Sequence, residues 1–151
     1  MPVLIVLLIS FFASLGLTKV YSGSWDYLLC GNIAMCVMLF FTAIGHFKFS
    51  KGMQLMIPEI VPFRKALVFV TGIMEIVAGI ALLFPSLRHG TGIFLIVFFL
   101  LILPANVHAA INKIDYQKNT LDGKGLDYLW FRIPFQIFLM LWVWYFSVRP
   151  Y

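Results

Sequence analysis

Charged side chains are scarce in this sequence. Asp, Glu, Lys and Arg make up only 11% of its 151 residues, whereas 62% are hydrophobic and the mean hydropathy is +0.99. A soluble domain carries about 25% charged residues, and one of about 150 residues still leaves roughly 30% of its unfolded surface exposed. An aqueous fold of this size could not hide so much apolar surface. The composition therefore excludes a cytosolic enzyme, a disordered tail and a disulfide-stapled secreted domain, and it predicts a protein whose main solvent is lipid.

Cysteine pairs and basic runs are also missing. The two cysteines, Cys30 and Cys36, lie six residues apart in one apolar segment. Six residues of helix rise about 9 Å, which is beyond the reach of a disulfide. Without a C-x-x-C pair, thiol redox chemistry lacks its usual motif, and both residues are predicted to be buried. The net charge is +5, but Lys and Arg are spread over short connectors, so nucleic acid is not an expected partner.

Long apolar stretches are what the sequence has in abundance. A membrane-spanning helix needs about 20 residues, within a range of about 17–25. Four stretches reach that length directly, and the first does so if it extends to Tyr21 with Lys19 reaching the headgroups. Because this first stretch has no positively charged start and no clear A-x-A site, we expect a retained helix rather than a cleaved signal peptide. The five predicted spans are Val3–Leu17, Tyr27–Phe47, Ala66–Leu87, Thr91–Ile111 and Leu126–Val148.

The connectors between the spans differ in character. Lys48–Lys65 is too apolar for a free loop and too broken by proline for a span, which favours an interfacial or re-entrant segment. Pro85–Gly90 is predicted to be a tight turn, and Asn112–Gly125 is the one truly polar loop. Outside the spans, the side that holds Lys48–Lys65 and Asn112–Gly125 has seven Lys and Arg residues, and the other side has three. The positive-inside rule therefore predicts a cytoplasmic N-terminus and a C-terminus on the opposite side.

Polar residues at membrane depth are costly, so each one needs a reason. Glu75 lies mid-span, with Gly72 and Gly79 on the same helical face. Small residues permit close helix approach, so this face is predicted to point into the bundle. Glu75 either handles protons or is a protonated carboxyl group that joins helices by hydrogen bonds. His46 ends the second span one turn after Thr42, and it is either part of a site or an interfacial side chain.

Further polar groups occupy the last two spans. Asn106 and His108 are two residues apart, so a regular helix cannot aim both inward unless Pro104 unwinds the turn. Arg132 either reaches the surface or faces inward, where it would pair with the carboxylate at position 75 or with a ligand oxygen, and Gln136 should point inward. All these groups fall in the cytoplasmic half of the bilayer. One shared pocket, capped by the segment 48–65, is therefore predicted from His46, Glu75, Asn106, Arg132 and Gln136, with His108 joining only if the helix unwinds.

Several short motifs follow one another in a characteristic order. They are Gly45-His46-Phe47, Met56-Ile57-Pro58, Pro62, Thr71-Gly72 with Glu75 and Gly79, Leu82-Leu83-x-Pro85-x-x-Arg88, Pro104-Ala105-Asn106-x-His108 and Arg132-Ile133-Pro134-x-Gln136. This ordered set resembles the DoxX-like family of small bacterial membrane proteins over about residues 28–148. The resemblance implies an all-α fold, namely a transmembrane antiparallel four-helix bundle in residues 22–151, with residues 1–21 as an additional N-terminal transmembrane helix. It also implies the bacterial inner (plasma) membrane, which would make the C-terminus periplasmic.

The resemblance leaves two functions open. DoxX relatives are linked to redox work, including a quinone-reducing thiosulfate oxidase, while other similar proteins act as receptor-assembly chaperones. In the first function, a redox-associated subunit would bind a quinone-like or lipophilic ligand and a membrane or peripheral oxidoreductase partner. His46 and Glu75 would then be the catalytic groups that supply protons and hydrogen bonds, while Asn106, His108, Arg132 and Gln136 would bind the ligand. In the second, the chain is a non-catalytic membrane partner or assembly factor, and its polar groups only join helices.

A metal site is a third possibility. His46, His108 and Glu75 offer two imidazoles and a carboxylate, which suit zinc or non-haem iron. They lie on three predicted helices without a spacing motif, so no metal is expected. The sequence also has no haem, flavin or nucleotide motif, and it names no cofactor.

Overall fold

Helices account for most of the chain. The computed structural model describes residues 2–150, which contain no strand, and 79% of the chain is helical. This confirms the all-α prediction. The helices are α1 (Pro2–Ser22), α2 (Tyr27–Lys48), α3 (Ser50–Met56), α4 (Arg64–Ala81), α5 (Pro85–Ile111) and α6 (Asp127–Val143), and α6 continues into a π-helical turn, Trp144–Val148.

Four of these helices form an antiparallel bundle. α2 packs against α4, and α5 packs against α6 and its π-helical turn. The small residues on α4 let it lie close to α2: Gly72 faces the Cβ atom of His46, and Gly79 faces the backbone of Cys36. α1 packs against α2, and its Phe11 also contacts the ring of Trp142 in α6 edge-on. The bundle with an extra N-terminal helix is thus confirmed.

Four helices in residues 2–150 are long and apolar enough to cross a membrane: α1, α2, α5, and α6 with its π-helical turn. Their length and composition are compatible with a multi-pass integral membrane protein. α4 is shorter than the span predicted for it, since it ends at Ala81 and its first turn already carries Arg64 and Lys65. It runs antiparallel to the second half of α2, because Val68 contacts His46 and Gly79 contacts Cys36.

The prediction of a tight turn at Pro85–Gly90 is wrong. α4 ends earlier, the turn lies at residues 82–84, and Pro85 is the first residue of α5. A proline is well placed there because the first amide of a helix has no intrahelical acceptor. Arg88 completes the junction by donating from Nε to the carbonyl of Leu82 at 2.9 Å. The turn thus precedes the predicted segment, and the residues predicted to form it are the first residues of α5.

The two connectors at the opposite end of the bundle pack against each other. The predicted interfacial segment forms the short helix α3 and then an irregular stretch that ends at Phe63, whose φ of 56° is left-handed. Gly52 of α3 lies directly on the carbonyl group of Tyr116 in the polar loop. Only a glycine permits this approach, because a Cβ atom there would be 1.9 Å from the Tyr116 oxygen. The helix α3 is thus held across the end of the bundle.

Candidate functional site

A cavity of about 460 Å³ lies at the end of the bundle that α3 covers. Its walls come from the start of α1, the second half of α2, residues 67–75 of α4, residues 99–106 of α5 and residues 128–139 of α6, and α3 and the polar loop also contribute to the lining. Small-molecule sites commonly measure about 300–1,000 Å³, so the cavity has room for a ligand. Much of its lining is apolar, including Met38, Met53, Met56, Phe99, Ile102, Phe135 and Leu139, whereas its polar lining groups are Thr42, His46, Lys48, Thr71, Glu75, Asn106, Tyr116, Gln117, Tyr128, Arg132 and Gln136.

Glu75 and His46 form the central polar pair of this cavity. The Glu75 side chain is buried at 5% exposure, and its Oε1 atom lies 3.4 Å from Nε2 of His46. The other carboxyl oxygen is 2.8 Å from the hydroxyl of Thr42. The predicted inward face of α4 is thus correct, and the carboxyl group is held between two residues of α2.

The ring of His46 is oriented by α4. Its Nδ1 atom lies 3.0 Å from the carbonyl oxygen of Val68 and 3.1 Å from the hydroxyl of Thr71. Nδ1 can donate to the Val68 carbonyl or accept from the Thr71 hydroxyl, according to the tautomer of the imidazole. In both cases these contacts hold the ring with its other nitrogen, Nε2, facing the carboxyl group of Glu75.

Arg132 does not pair with Glu75. Its guanidinium group lies over the ring of Tyr128, 6.0 Å from the centroid, on the cavity wall. Within residues 2–150, no carboxylate lies within ion-pairing distance of Arg132. The sequence left two partners open for Arg132, the Glu75 carboxylate and a ligand oxygen. The Glu75 carboxylate is already held by His46 and Thr42.

Asn106 and Gln136 tie α5 to α6 beside the cavity. Both are almost completely buried, at 2% and 4% exposure. The Asn106 amide donates to Oε1 of Gln136 at 3.4 Å and to the carbonyl of Ile102 at 3.2 Å. The Gln136 amide in turn donates to the carbonyl of Phe99. The inward direction predicted for Gln136 is correct, and Asn106 is its interhelical partner.

His108 does not join these residues. α5 stays helical through Pro104, so Asn106 takes the inward direction and His108 is turned away. Its Nδ1 atom lies 3.0 Å from the carbonyl oxygen of Met56, which fastens α3 to α5, and His108 itself is not part of the cavity lining. Residues 2–150 contain no group of three or more His, Cys, Asp and Glu that could hold a metal. The arrangement of His46, Glu75 and His108 that the metal possibility requires is therefore not formed.

The sequence reasoning passed over several groups. Tyr116 and Gln117 belong to the polar loop and reach the cavity only because α3 packs on that loop, so no local pattern marks them.

At the other end of the bundle, the Asn32 amide donates to the carbonyl of Phe146 at 3.0 Å, and the Ser147 hydroxyl donates to Oδ1 of Asn32 at 2.8 Å. An asparagine inside a predicted span was a usable signal for this second cluster, because an amide at that depth must find a partner.

The fold and this site define a small helical-bundle protein of membrane type, with one mixed polar and apolar cavity near one end. The chain belongs to the family described as Domain of unknown function (DUF8561), whose model matches residues 35–147. The match begins inside α2 and ends in the π-helical turn, so it includes most of the cavity wall. A comparison with curated proteins and one with solved structures each found no match. The family match carries no link to DoxX-like proteins, and that resemblance stays a prediction.

Proposed function

We propose that this protein is a DoxX-like, redox-associated membrane subunit that binds a quinone-like or other lipophilic small molecule in the cavity. The observation that carries the proposal is that the cavity lining combines many apolar side chains with a smaller number of polar ones. The methionine, phenylalanine and leucine side chains would bury the apolar body of a ligand, while the polar side chains would form hydrogen bonds to its polar head. This combination is typical of small-molecule sites, in which a few polar groups orient a largely apolar ligand.

The His46–Glu75 pair supports a role in proton transfer to such a ligand. Nε2 of His46 and Oε1 of Glu75 lie 3.4 Å apart, and both side chains face the cavity. Imidazole and carboxyl groups are common proton donors in catalysis, and either one would protonate a quinone oxygen bound next to it on reduction. Electrons would have to come from an oxidoreductase partner, because the sequence carries no redox motif of its own.

The proposed location is the bacterial inner membrane, with the N-terminus in the cytoplasm and the C-terminus in the periplasm. Support comes from the seven-to-three distribution of Lys and Arg between the two ends of the bundle. The cavity would then lie in the cytoplasmic half of the bilayer, where a cytoplasmic or peripheral partner could reach the α3 end.

Blocking the cavity tests the proposal. Gly45 lies on the cavity wall, and a Cβ atom there would meet only the terminal methyl of Met53 at 3.6 Å, so Gly45→Leu should fold and fill the space. Gly16 on α1 has nothing within 4 Å, which makes Gly16→Leu the matched control. Protein purified in a mild detergent would be extracted and its lipophilic ligands identified by mass spectrometry. We expect a co-purifying or added menadione-type quinone to bind the wild-type protein and Gly16→Leu, but not Gly45→Leu. Equal binding by all three proteins would refute this use of the cavity.

A second candidate function is that of a non-catalytic membrane partner or assembly factor. One observation favours it: within residues 2–150, every buried side-chain nitrogen and oxygen atom has a hydrogen-bond partner in the protein itself. The polar groups can therefore serve as interhelical links without any ligand. If purified protein binds no lipophile while co-purifying with a stable membrane partner, this function is favoured over the first.

A further inference from the structure

The charges on the cavity wall are unbalanced. Among the described residues 2–150, two permanent cations, Arg132 and Lys48, line the cavity, whereas Glu75 is the single carboxyl group there. Glu75 is engaged by His46 and Thr42. The cavity wall thus has more permanent cations than carboxyl groups, and Arg132 has no carboxylate partner within this part of the chain.

We infer that the cavity selects lipophiles that carry one oxyanion, with Arg132 as the counter-ion; this inference rests on the proposed function. The shared chemistry is an anionic oxygen on an apolar body. It could belong to the enolate of a hydroxyquinone or to the carboxylate of a fatty acid.

The geometry around Arg132 suits such a head. The guanidinium group presents several N–H donors in one plane, which match two oxygens of a carboxylate or the adjacent oxygens of a hydroxyquinone anion. Its central carbon lies over the Tyr128 ring, 6.0 Å from the centroid, a contact that occupies none of its N–H donors with a hydrogen bond. Gln136 lies one helical turn further along α6, but its amide is already bonded to Phe99 and Asn106.

The remainder of the cavity suits the apolar body. Arg132, in the first half of α6, is half-buried, and the wall continues from it along α6 through Phe135 to Leu139, which are both buried. A charged side chain in apolar surroundings is costly unless it is paired. An anionic ligand would supply the missing pair, whereas a neutral ligand would leave the Arg132 charge uncompensated.

Two pairs of matched probes test the inference. Phthiocol is menadione with an added acidic hydroxyl group, and it is anionic at neutral pH; decanoate and decanol share one alkyl chain. Dissociation constants would be measured in nanodiscs of neutral lipid for the wild-type protein and Arg132→Gln. The ratio between the two proteins cancels the different partitioning of each probe into lipid. For at least one pair, we expect Arg132→Gln to raise the dissociation constant of the anionic probe by about tenfold or more, which corresponds to the loss of hydrogen bonds to a charged group. The dissociation constant of the neutral probe of the same pair should stay within about twofold of the wild-type value. The pair that responds identifies the source of the oxyanion.

Arg149→Gln is the matched control. Arg149 also lies over a tyrosine four residues earlier, at 5.1 Å from the Tyr145 ring, but it is exposed and outside the cavity lining. This variant should bind all four probes as the wild-type protein does. Arg132→Lys, which keeps the charge without the planar donors, should retain part of the preference for the anion and guards against a folding defect in Arg132→Gln. The inference is overturned if Arg132→Gln weakens the neutral and anionic members of each pair equally, or weakens neither. If none of the four probes binds to the wild-type protein, the proposed function fails, and the inference fails with it.

Discussion

The ionisable carboxyl group of Glu75 can be replaced without removing the contacts around it. In Glu75→Gln, the side-chain carbonyl can accept from Thr42, and the amide can donate to Nε2 of His46 in the tautomer that places the ring hydrogen on Nδ1, next to the Val68 carbonyl. Both contacts of the wild-type carboxyl group are thus replaced, and only the ionisable group is lost. We therefore expect the free energy of unfolding to change by less than about 0.5 kcal/mol, which is the range usual for substitutions at surface sites.

Glu75→Leu gives the contrasting case. It removes both contacts and leaves Nε2 of His46 without a partner, whereas the Thr42 hydroxyl keeps the Leu39 carbonyl at 3.0 Å as an acceptor. An interhelical hydrogen bond in a membrane protein contributes about 0.6 kcal/mol on average and about 1.7 kcal/mol at most. An unsatisfied buried group costs about 1–3 kcal/mol. The expected loss for Glu75→Leu is therefore about 1–3 kcal/mol.

The assay is reversible unfolding in mixed micelles with increasing SDS, followed by tryptophan fluorescence. Glu59→Gln is the control, because Glu59 is exposed in the connector after α3 and should not change stability. The quinone-binding measurement is repeated on Glu75→Gln, where we expect binding of the oxidised quinone to persist and proton-coupled reduction to be lost. The reasoning is refuted if Glu75→Gln loses as much stability as Glu75→Leu, since the amide would then not be replacing the two contacts. Full stability together with full proton-coupled activity in Glu75→Gln would rule out the proton role.

Two further predictions concern the connectors. Gly52→Ala should destabilise the protein by about 1–3 kcal/mol and expose the polar loop to protease, because its Cβ atom would lie 1.9 Å from the Tyr116 oxygen. Gly45→Ala is the control: its nearest contact is 3.6 Å away, so stability and protease resistance should not change. Equal effects of the two substitutions would contradict the packing of α3 on the loop. For the proposed orientation, a cysteine placed at Thr120 in a cysteine-free background should react with an impermeant maleimide in inverted membrane vesicles. Labelling from the periplasmic side of intact cells would show that the orientation is reversed.

The sequence was informative where one helix determines the outcome. The spacing of Gly72, Glu75 and Gly79 predicted the inward face of α4, because helical periodicity alone fixes which residues share a face. The spacing of Asn106 and His108 also showed that one of them had to turn away in a regular helix. The existence of the predicted helices and the gathering of polar groups at one end followed from hydropathy and from the alternating direction of the spans.

The sequence was less informative where two helices must be placed against each other. It could not decide whether Arg132 or His46 would take the Glu75 carboxyl group, because that depends on how closely α4 approaches α2 and α6. The structure brings α2 nearer through the contact between Gly72 and His46. The chemical roles of these residues are a further step that neither helical periodicity nor geometry supplies, and they stay predictions.

Because α4 and α5 differ in length, the fit of this protein in a membrane should depend on the thickness of the bilayer. α4 has 18 residues and measures about 27 Å, whereas α5 has 27 residues and measures about 40 Å, at the helical rise of about 1.5 Å per residue. A typical hydrocarbon core is about 30 Å thick, so α4 is slightly short even with Arg64 and Lys65 included, while the polar start of α5 can extend into the headgroups. Hydrophobic mismatch of this kind is relieved by local thinning of the bilayer. Lipids with short acyl chains should thus match the length of α4, whereas lipids with long acyl chains should increase the hydrophobic mismatch at this helix.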